Sequence, residues 1–245
     1  MVKFCPKILS FAVLLVIISC QSISSTLNLN NKEKQTVELG NIGYSEDLLF
    51  EDSFENIAIA KFNNPIKVSV TQADFSKSDY KKYLQNKYSK PSSIEVKYVD
   101  SIKTKPQYVI LTIIDKLTII DALNTAENTS LKELVSYQDQ SELITSISAA
   151  LNLAQIKQII SADEIFLVPN GIKSYALQLY TDKQPKQLIK FSDMVAFDYK
   201  SSCMCWQENT RRQLKIVDFV EGSDCPKDTY KSAKRAKKKI DYFKF

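Results

Sequence analysis

The sequence predicts an α+β fold: antiparallel sheet or sheets, helices inserted between the strand groups, and a basic helix at the C-terminal end. Segments rich in β-branched and aromatic residues alternate with segments whose apolar residues recur at helical spacing. An Asn-Gly pair at 170–171 lies between two strand-like segments, as in a tight hairpin. Residues 227–245 carry eight basic side chains and two acidic ones. With 44% hydrophobic and 25% charged residues, the chain has the composition of a folded globular protein.

Four strands and one helix are predicted in the first half of the chain. Strands over 56–62 and 66–71 are separated by Asn63-Asn64-Pro65, since proline cannot continue a strand ladder. The apolar spacing over 78–88 predicts a helix. Segments 94–102 and 107–115 are predicted to form a hairpin, and the second is apolar on both faces, as in a central strand.

The second half predicts helices followed by a β-meander. Ser130-x-x-Glu133 and Asp139-x-x-Glu142 match the capping box that begins many helices. The apolar residues from Leu143 to Ile160 continue at helical spacing, and their broad stripe predicts helix packing against the sheet. Further strands are predicted over 164–168, 172–181, 187–192, 194–200 and 211–221, with a type I′ turn at Asn170-Gly171 joining the first two.

The N-terminus has the features of an export signal. Lys3 and Lys7 precede an apolar stretch over 8–18 that only Ser10 interrupts. This stretch is shorter than the roughly 20 residues that span a bilayer, and it has the length of a signal-peptide core. Ile17-Ile18-Ser19-Cys20 then resembles the lipobox of bacterial lipoproteins, in which a lipid is attached to the cysteine.

The resemblance implies cleavage before Cys20 and attachment of the domain to a membrane by lipid chains on that residue. Ordinary secretion, with cleavage after Ser19 or Ser22, and an uncleaved membrane anchor are the alternatives. Gln21, and not an aspartate, directly follows Cys20. In lipoproteins of enteric bacteria an aspartate there marks retention in the inner membrane, so the resemblance implies the outer membrane, facing the periplasm. The expected organisation is a signal peptide (1–19), a lipidated cysteine and flexible tether (20–44), one α+β domain (45–226) and a basic helix or tail (227–245).

Composition excludes several kinds of chemistry. The chain contains no histidine, so triads and metal sites that need imidazole cannot form within it. Its four glycines lack the spacing of a nucleotide-phosphate loop. We therefore predict no catalytic set, no cofactor and no bound metal. A glycan hydrolase that uses two carboxylates stays open as an alternative, and strand-end turns are the simpler interpretation of Asp115 and Asp121. The carboxylates considered are Asp115, Asp121, Asp163, Glu164, Asp193 and Asp198.

Three late cysteines are candidates for a disulfide. In an oxidising periplasm, Cys225 is expected to pair with either Cys203 or Cys205, which leaves one cysteine free. A copper(I) or zinc site formed by the three thiols beside Met204, or a redox role, is the alternative.

The basic segment predicts binding to an anionic surface. If 227–245 is helical, Lys227, Lys231, Lys234 and Lys238 share one face, with Arg235 and Lys239 beside it. A solvated terminal helix is the alternative, and export argues against nucleic acid as a partner. The resulting functional prediction is a non-enzymatic binding or assembly subunit of the cell envelope. Its partners would be the membrane, through the lipid, and an envelope protein or cell-wall component.

Overall fold

The computed structural model describes residues 37–48, 51–88, 94–138, 140–171, 174–222 and 224–237. The predicted signal peptide, the lipobox with Cys20 and most of the predicted tether lie outside these residues, as do Lys238 and Lys239. No helix within the described ranges is long and apolar enough to span a membrane.

The described residues form ten strands, five α-helices and two short 3-10 helices. The strands are β1 Asn41–Leu48, β2 Glu51–Ile59, β3 Ile66–Asp74, β4 Gln107–Ile113, β5 Glu142–Ala150, β6 Glu164–Pro169, β7 Tyr175–Thr181, β8 Gln184–Lys190, β9 Val195–Glu208 and β10 Leu214–Val220. The helices are α1 Lys77–Tyr88, α2 Lys116–Leu123, α3 Thr129–Tyr137, α4 Leu153–Ser161 and α5 Ala233–Ala236, with short 3-10 helices at Ala126–Asn128 and Phe191–Asp193. The predicted α+β class is confirmed.

All strands join one curled antiparallel sheet in the order β10-β9-β5-β4-β3-β6-β7-β8. The β1–β2 hairpin attaches to β5, where Ile42 pairs with Leu143 and Gly43 pairs with Glu142. β4 pairs with a later part of β5, from Ser146 to Ala149, so β1 and β4 share one edge of that strand. The start of β5 is thus hydrogen-bonded to β1 on one side and β9 on the other.

The sheet buries side chains on both faces. Along β4, Val109 and Leu111 join the main hydrophobic core, while Tyr108 joins a second cluster beneath α1. This period-two alternation is the one expected of a strand buried on both sides. In the second cluster the Phe75 ring lies 4.9 Å from the Tyr108 ring and 5.2 Å from the Phe197 ring, measured between centroids. The buried Tyr83 hydroxyl donates to the Ile94 carbonyl at 2.7 Å.

Helix α1 confirms the helix predicted over 78–88 and begins with a capping box. The Ser76 backbone amide donates to the Asp79 carboxylate at 3.1 Å, and the Asp79 amide donates to the Ser76 hydroxyl at 3.1 Å. These bonds satisfy two amide groups that a helix start leaves without partners.

The first part of the helical stripe predicted from Leu143 to Ile160 is wrong, because Glu142–Ala150 forms strand β5. Its apolar residues fit helical spacing, but the same run suits a strand that is buried on both faces. The later part of the prediction is confirmed, since Leu153–Ser161 forms α4. The Asn152 side chain caps this helix by accepting a hydrogen bond from the Gln155 amide at 2.8 Å.

Three further predictions change. Residues 94–106 contain no strand, so the predicted 94–102 hairpin partner of β4 is wrong; the Tyr98 ring instead stacks on Tyr80 at 5.1 Å. The β6–β7 hairpin forms, but its connection runs over 170–174 rather than through a two-residue turn, and the Asn170 amide donates to the Ser174 carbonyl at 2.9 Å. Strand β1 begins at Asn41, so 41–44, assigned to the tether, lie in the sheet.

Candidate functional site

The structure joins Cys205 to Cys225 by a disulfide, with their Cα atoms 5.6 Å apart, and leaves Cys203 as a free thiol. This is one of the two pairings that the sequence left open. Cys205 is fully buried on β9, opposite Asp218 of β10.

A second pairing along β9 brings Cys225 to its partner. β5 begins opposite Cys203, so the edge of β9 beyond that residue is open to another segment. Tyr230 occupies it: the Trp206 amide donates to the Tyr230 carbonyl at 2.7 Å, and the Tyr230 amide donates back at 2.9 Å. The chain from 224 to 230 therefore returns beside β9, which places Cys225 near Cys205.

Glu142 connects three strands through its carboxylate. Ser45 of β1 donates to Oε2 at 2.8 Å, and Ser201 of β9 donates to the same oxygen at 2.7 Å. The Cys203 Sγ atom lies 3.6 Å from Oε1. These contacts gather the polar side chains where β1, β5 and β9 meet, so a charged group is accommodated within the sheet.

This environment keeps Cys203 in its thiol form. Burial raises the pKa of Cys203, and the charge and hydrogen bond of Glu142 raise it further, against a smaller opposite effect of Lys231. Because the thiolate is the reactive and metal-binding species, a raised pKa opposes both roles. Cys205 and Cys225 are joined to each other, so the three cysteines do not present three thiols. In the described part of the chain no group of histidine, cysteine or carboxylate side chains is arranged to hold a metal ion.

The described basic residues beyond 226 do not form the predicted helical face. Lys227 lies in a turn where Asp228 has a φ of 62°, a left-handed conformation that interrupts a helix. Lys231 lies 3.9 Å from Asp224 in an ion pair. Of the described residues beyond 226, only Ala233–Ala236 are helical, and Lys234 and Arg235 are exposed there. Residues 227–232 do not continue this helix, because the pairing of Tyr230 with Trp206 requires extended backbone.

Most of the carboxylates considered for hydrolysis have structural partners. Asp115 caps α2 by accepting from the Thr118 amide at 3.1 Å and from its hydroxyl at 2.7 Å. Asp198 pairs with Lys82 at 2.8 Å, and Glu164 pairs with Lys67 at 2.7 Å. Asp163 accepts from the backbone amide of Asp182 at 2.8 Å, and Asp193 accepts from the Ser192 hydroxyl at 3.2 Å. Asp121 differs from these five because its side chain lines a pocket.

Helix α3 presents an apolar surface that the sequence analysis missed. Leu134 is 46% exposed and Tyr137 is 74% exposed, whereas Val135 is fully buried. Residues three apart share one face of a helix, so Leu134 and Tyr137 form a pair on the outer side. The signal was present in the sequence, because the leucine and tyrosine lie outside the buried stripe of a correctly predicted helix. We call Leu134 and Tyr137 the α3 surface.

Basic side chains lie on α3 and on the neighbouring helix α5. Burial lowers the pKa of Lys132 on α3, and the charge of Lys215 on β10 lowers it further, against the opposing effect of Glu133. Helix α5, with exposed Lys234 and Arg235, contacts α3. Helix geometry places Lys132 on the other side of α3 from Leu134 and Tyr137, whereas Glu133, four residues before Tyr137, lies on the same face as that ring.

A small polar pocket lies between α2 and the β2–β3 connection. Its volume is about 150 Å³. The lining residues are Lys61, Asn63, Asn64, Thr118, Asp121, Ala122 and Thr125. Of the residues selected from the sequence as candidate site residues, only Asp121 lies in this pocket.

Comparison with known proteins gives no functional assignment, since no protein-family model, no curated protein and no solved structure matches this chain.

Proposed function

We propose that this chain is a membrane-anchored lipoprotein, lipidated at Cys20, whose α+β domain is a non-enzymatic binding or assembly subunit of the bacterial cell envelope. The observation that carries the binding role is the α3 surface, where Leu134 and Tyr137 expose apolar area. Exposed apolar side chains within a polar rim are typical of protein–protein contact sites.

The disulfide supports export of the domain. Bonds such as Cys205–Cys225 persist in oxidising compartments and are rare where glutathione keeps thiols reduced. An extracytoplasmic location also agrees with the signal-like N-terminus and the lipobox resemblance of 17–20.

The composition of the α3 surface defines the partner chemically. Leu134 and Tyr137 supply apolar and aromatic area, and Glu133 lies on the Tyr137 side of the same helix. We therefore propose an envelope protein with an apolar contact patch, for which Tyr137 would be a central contact.

The anchor is tested by metabolic palmitate labelling and membrane fractionation of the chain and its Cys20→Ala variant. We expect the substitution to abolish labelling and to release the protein from the membrane fraction. Unchanged labelling of the variant would refute lipidation at Cys20.

The binding role is tested with a photo-cross-linking amino acid at position 137 in intact envelopes. Position 88 provides the matched control, since Tyr88 on α1 is 83% exposed. We expect a discrete cross-linked protein from position 137 only, and its loss when Leu134→Asp is added. The same products from both positions, or none from position 137, would contradict a specific partner at the α3 surface.

A further inference from the structure

The pocket between α2 and the β2–β3 connection has walls of opposite chemistry. Asp121, Thr118 and Thr125 lie on α2 or just after it, and Lys61, Asn63 and Asn64 lie on the other wall. Neither Lys61 nor Asp121 forms an ion pair with another described residue, and both residues line the pocket.

The polar side chains on the α2 wall can only accept hydrogen bonds from a ligand. The Thr118 hydroxyl donates its proton to Asp115 at 2.7 Å, and the Thr125 hydroxyl donates to the Ala122 carbonyl at 2.7 Å. Because a hydroxyl has one proton, both oxygens retain only their acceptor function toward the pocket. Together with the carboxylate of Asp121, these oxygens give the α2 wall three acceptor groups.

The position of Asp121 on its helix adds to this polarity. Asp121 lies in the last turn of α2, which contains no basic side chain. The C-terminal end of a helix has partial negative charge, so a carboxylate there is unfavourable and a cation is favourable. A bound cationic group would interact with both the carboxylate and the helix end.

The opposite wall supplies the complementary charge. The Lys61 ammonium has three donors, and the side-chain amides of Asn63 and Asn64 each add two more. Such donors match a carboxylate. The volume of about 150 Å³ has room for several water molecules, and therefore for a molecule with the size of a small amino acid.

The pocket is also held in a fixed shape. Asn128, 2% exposed, bonds to both backbone groups of Lys61 and to the carbonyl of Ala122. One buried amide thus joins the two walls, and a rigid site loses less entropy on binding than a flexible one.

We propose that this pocket binds a small zwitterion of the α-amino-acid type, with its ammonium group against Asp121, Thr118 and Thr125 and its carboxylate against Lys61. The proposal goes beyond the membrane-anchored binding function, because it involves neither Cys20 nor the α3 surface.

The experiment is an NMR titration of the purified full chain with L-alanine, following the backbone amide signals of Asn63, Asn64 and Thr125. Propionate and ethylamine serve as probes that each carry only one of the two charged groups. We expect saturable shifts with a dissociation constant of about 1 mM or lower. Neither half-molecule should reproduce them at the same concentration.

Two variants remove one charge each: Asp121→Asn keeps the shape of the side chain, and Lys61→Gln keeps a polar side chain. Each is expected to weaken binding at least about tenfold, because binding of the zwitterion uses both charges. Lys186→Gln, on exposed β8, is the matched control and should bind L-alanine as the unmodified chain does. The spectrum of each variant reports directly that it is folded.

Three results would each overturn the proposal. The first is no saturable shift at the pocket amides with L-alanine. The second is unchanged affinity in both charge variants. The third is binding of propionate or ethylamine as strong as that of L-alanine, since it would remove the need for two opposite charges.

Discussion

Asn128 and Lys61 form two hydrogen bonds with each other, both 2.8 Å long, across 67 positions of sequence. The Asn128 oxygen accepts from the Lys61 backbone amide, while its amide nitrogen donates to the Lys61 carbonyl. A third bond, to the Ala122 carbonyl at 2.9 Å, extends this connection to α2. The side chain thus pairs with an irregular segment in the way that a neighbouring strand would.

Replacing Asn128 should therefore destabilise the domain. Asn128→Ala leaves buried backbone groups without partners, and we expect the free energy of unfolding to fall by about 2–4 kcal/mol. Asn128→Asp would bury a carboxylate against the Lys61 and Ala122 carbonyl oxygens, so its loss at neutral pH should be at least as large. Urea denaturation of the three proteins measures both effects. Equal stability of all three would contradict the structural role of the amide.

The buried hydroxyl of Tyr175 should make the free energy of unfolding depend on pH. This hydroxyl donates to the Ala60 carbonyl, and burial raises the pKa of Tyr175. Above pH ~10 the Tyr175 hydroxyl therefore keeps its proton in the folded state but loses it in the unfolded state, where its pKa is near 10. This contribution is complete below pH ~10 and declines as pH rises above that value.

Tyr175→Phe should cost about 1 kcal/mol at neutral pH, because the hydrogen bond is lost. It should also make the loss of stability between pH ~9 and ~11 shallower, since the variant lacks this titration. Tyr137→Phe is the control, because the Tyr137 side chain is 74% exposed and should change neither quantity. Denaturant unfolding across this pH range provides the test, and parallel curves for Tyr175→Phe and the unmodified chain would contradict it.

The disulfide and the free thiol should contribute very differently to stability. Cys205 and Cys225 are 20 positions apart, and closure of such a loop contributes about 3 kcal/mol in the chain-entropy model. Cys225→Ser should lower the free energy of unfolding by about this amount, and added reductant should have little further effect. Cys203→Ser provides the comparison and should change it by less than about 1 kcal/mol, since the hydroxyl can still donate to Glu142. A Cys203→Ser loss as large as that of Cys225→Ser would indicate a different pairing.

Gly43 is predicted to tolerate no side chain. A Cβ atom there would lie 1.9 Å from the Glu55 carbonyl oxygen and 2.7 Å from the Phe54 ring. Gly43→Ala must therefore push β2 away from β1, and we expect a loss of about 3 kcal/mol or more in thermal or urea unfolding. At Gly171, with φ of 81° and open space around it, alanine should cost only about 1–2 kcal/mol. Similar losses at both glycines would contradict the close packing of the β1–β2 hairpin.

Local sequence patterns predicted correctly those elements whose apolar pattern fits only one type of secondary structure. Helix α1 and the strand pair β6–β7 belong to this group. β5 does not, because Leu143, Ile144 and Ile147 satisfy a helical stripe and a doubly buried strand equally well. Only the flanking strands β4 and β9, far away in sequence, decide between these possibilities.

The end of β9 shows the same limitation at the candidate site. The strand predicted over 194–200 did not include 201–208, and the segment around Tyr230 was predicted as part of a basic helix. Residues 203–208 pair with β10, and Trp206 also pairs with Tyr230, which makes the backbone at Tyr230 extended. No periodicity within either segment encodes a contact with the other. The α2 pocket was missed for a related reason: its two walls meet through Asn128, whose bonds to Lys61 span 67 positions.

The Cys205–Cys225 bond also determines how the domain would respond to a cut in its backbone. The β9–β10 turn is exposed at Arg211 and Arg212, a site suited to proteases that cleave after basic residues. Cleavage there would separate the chain on a reducing gel, but without reductant the two fragments would migrate as one molecule. A cut in this exposed turn would thus leave the protein in a single covalent piece.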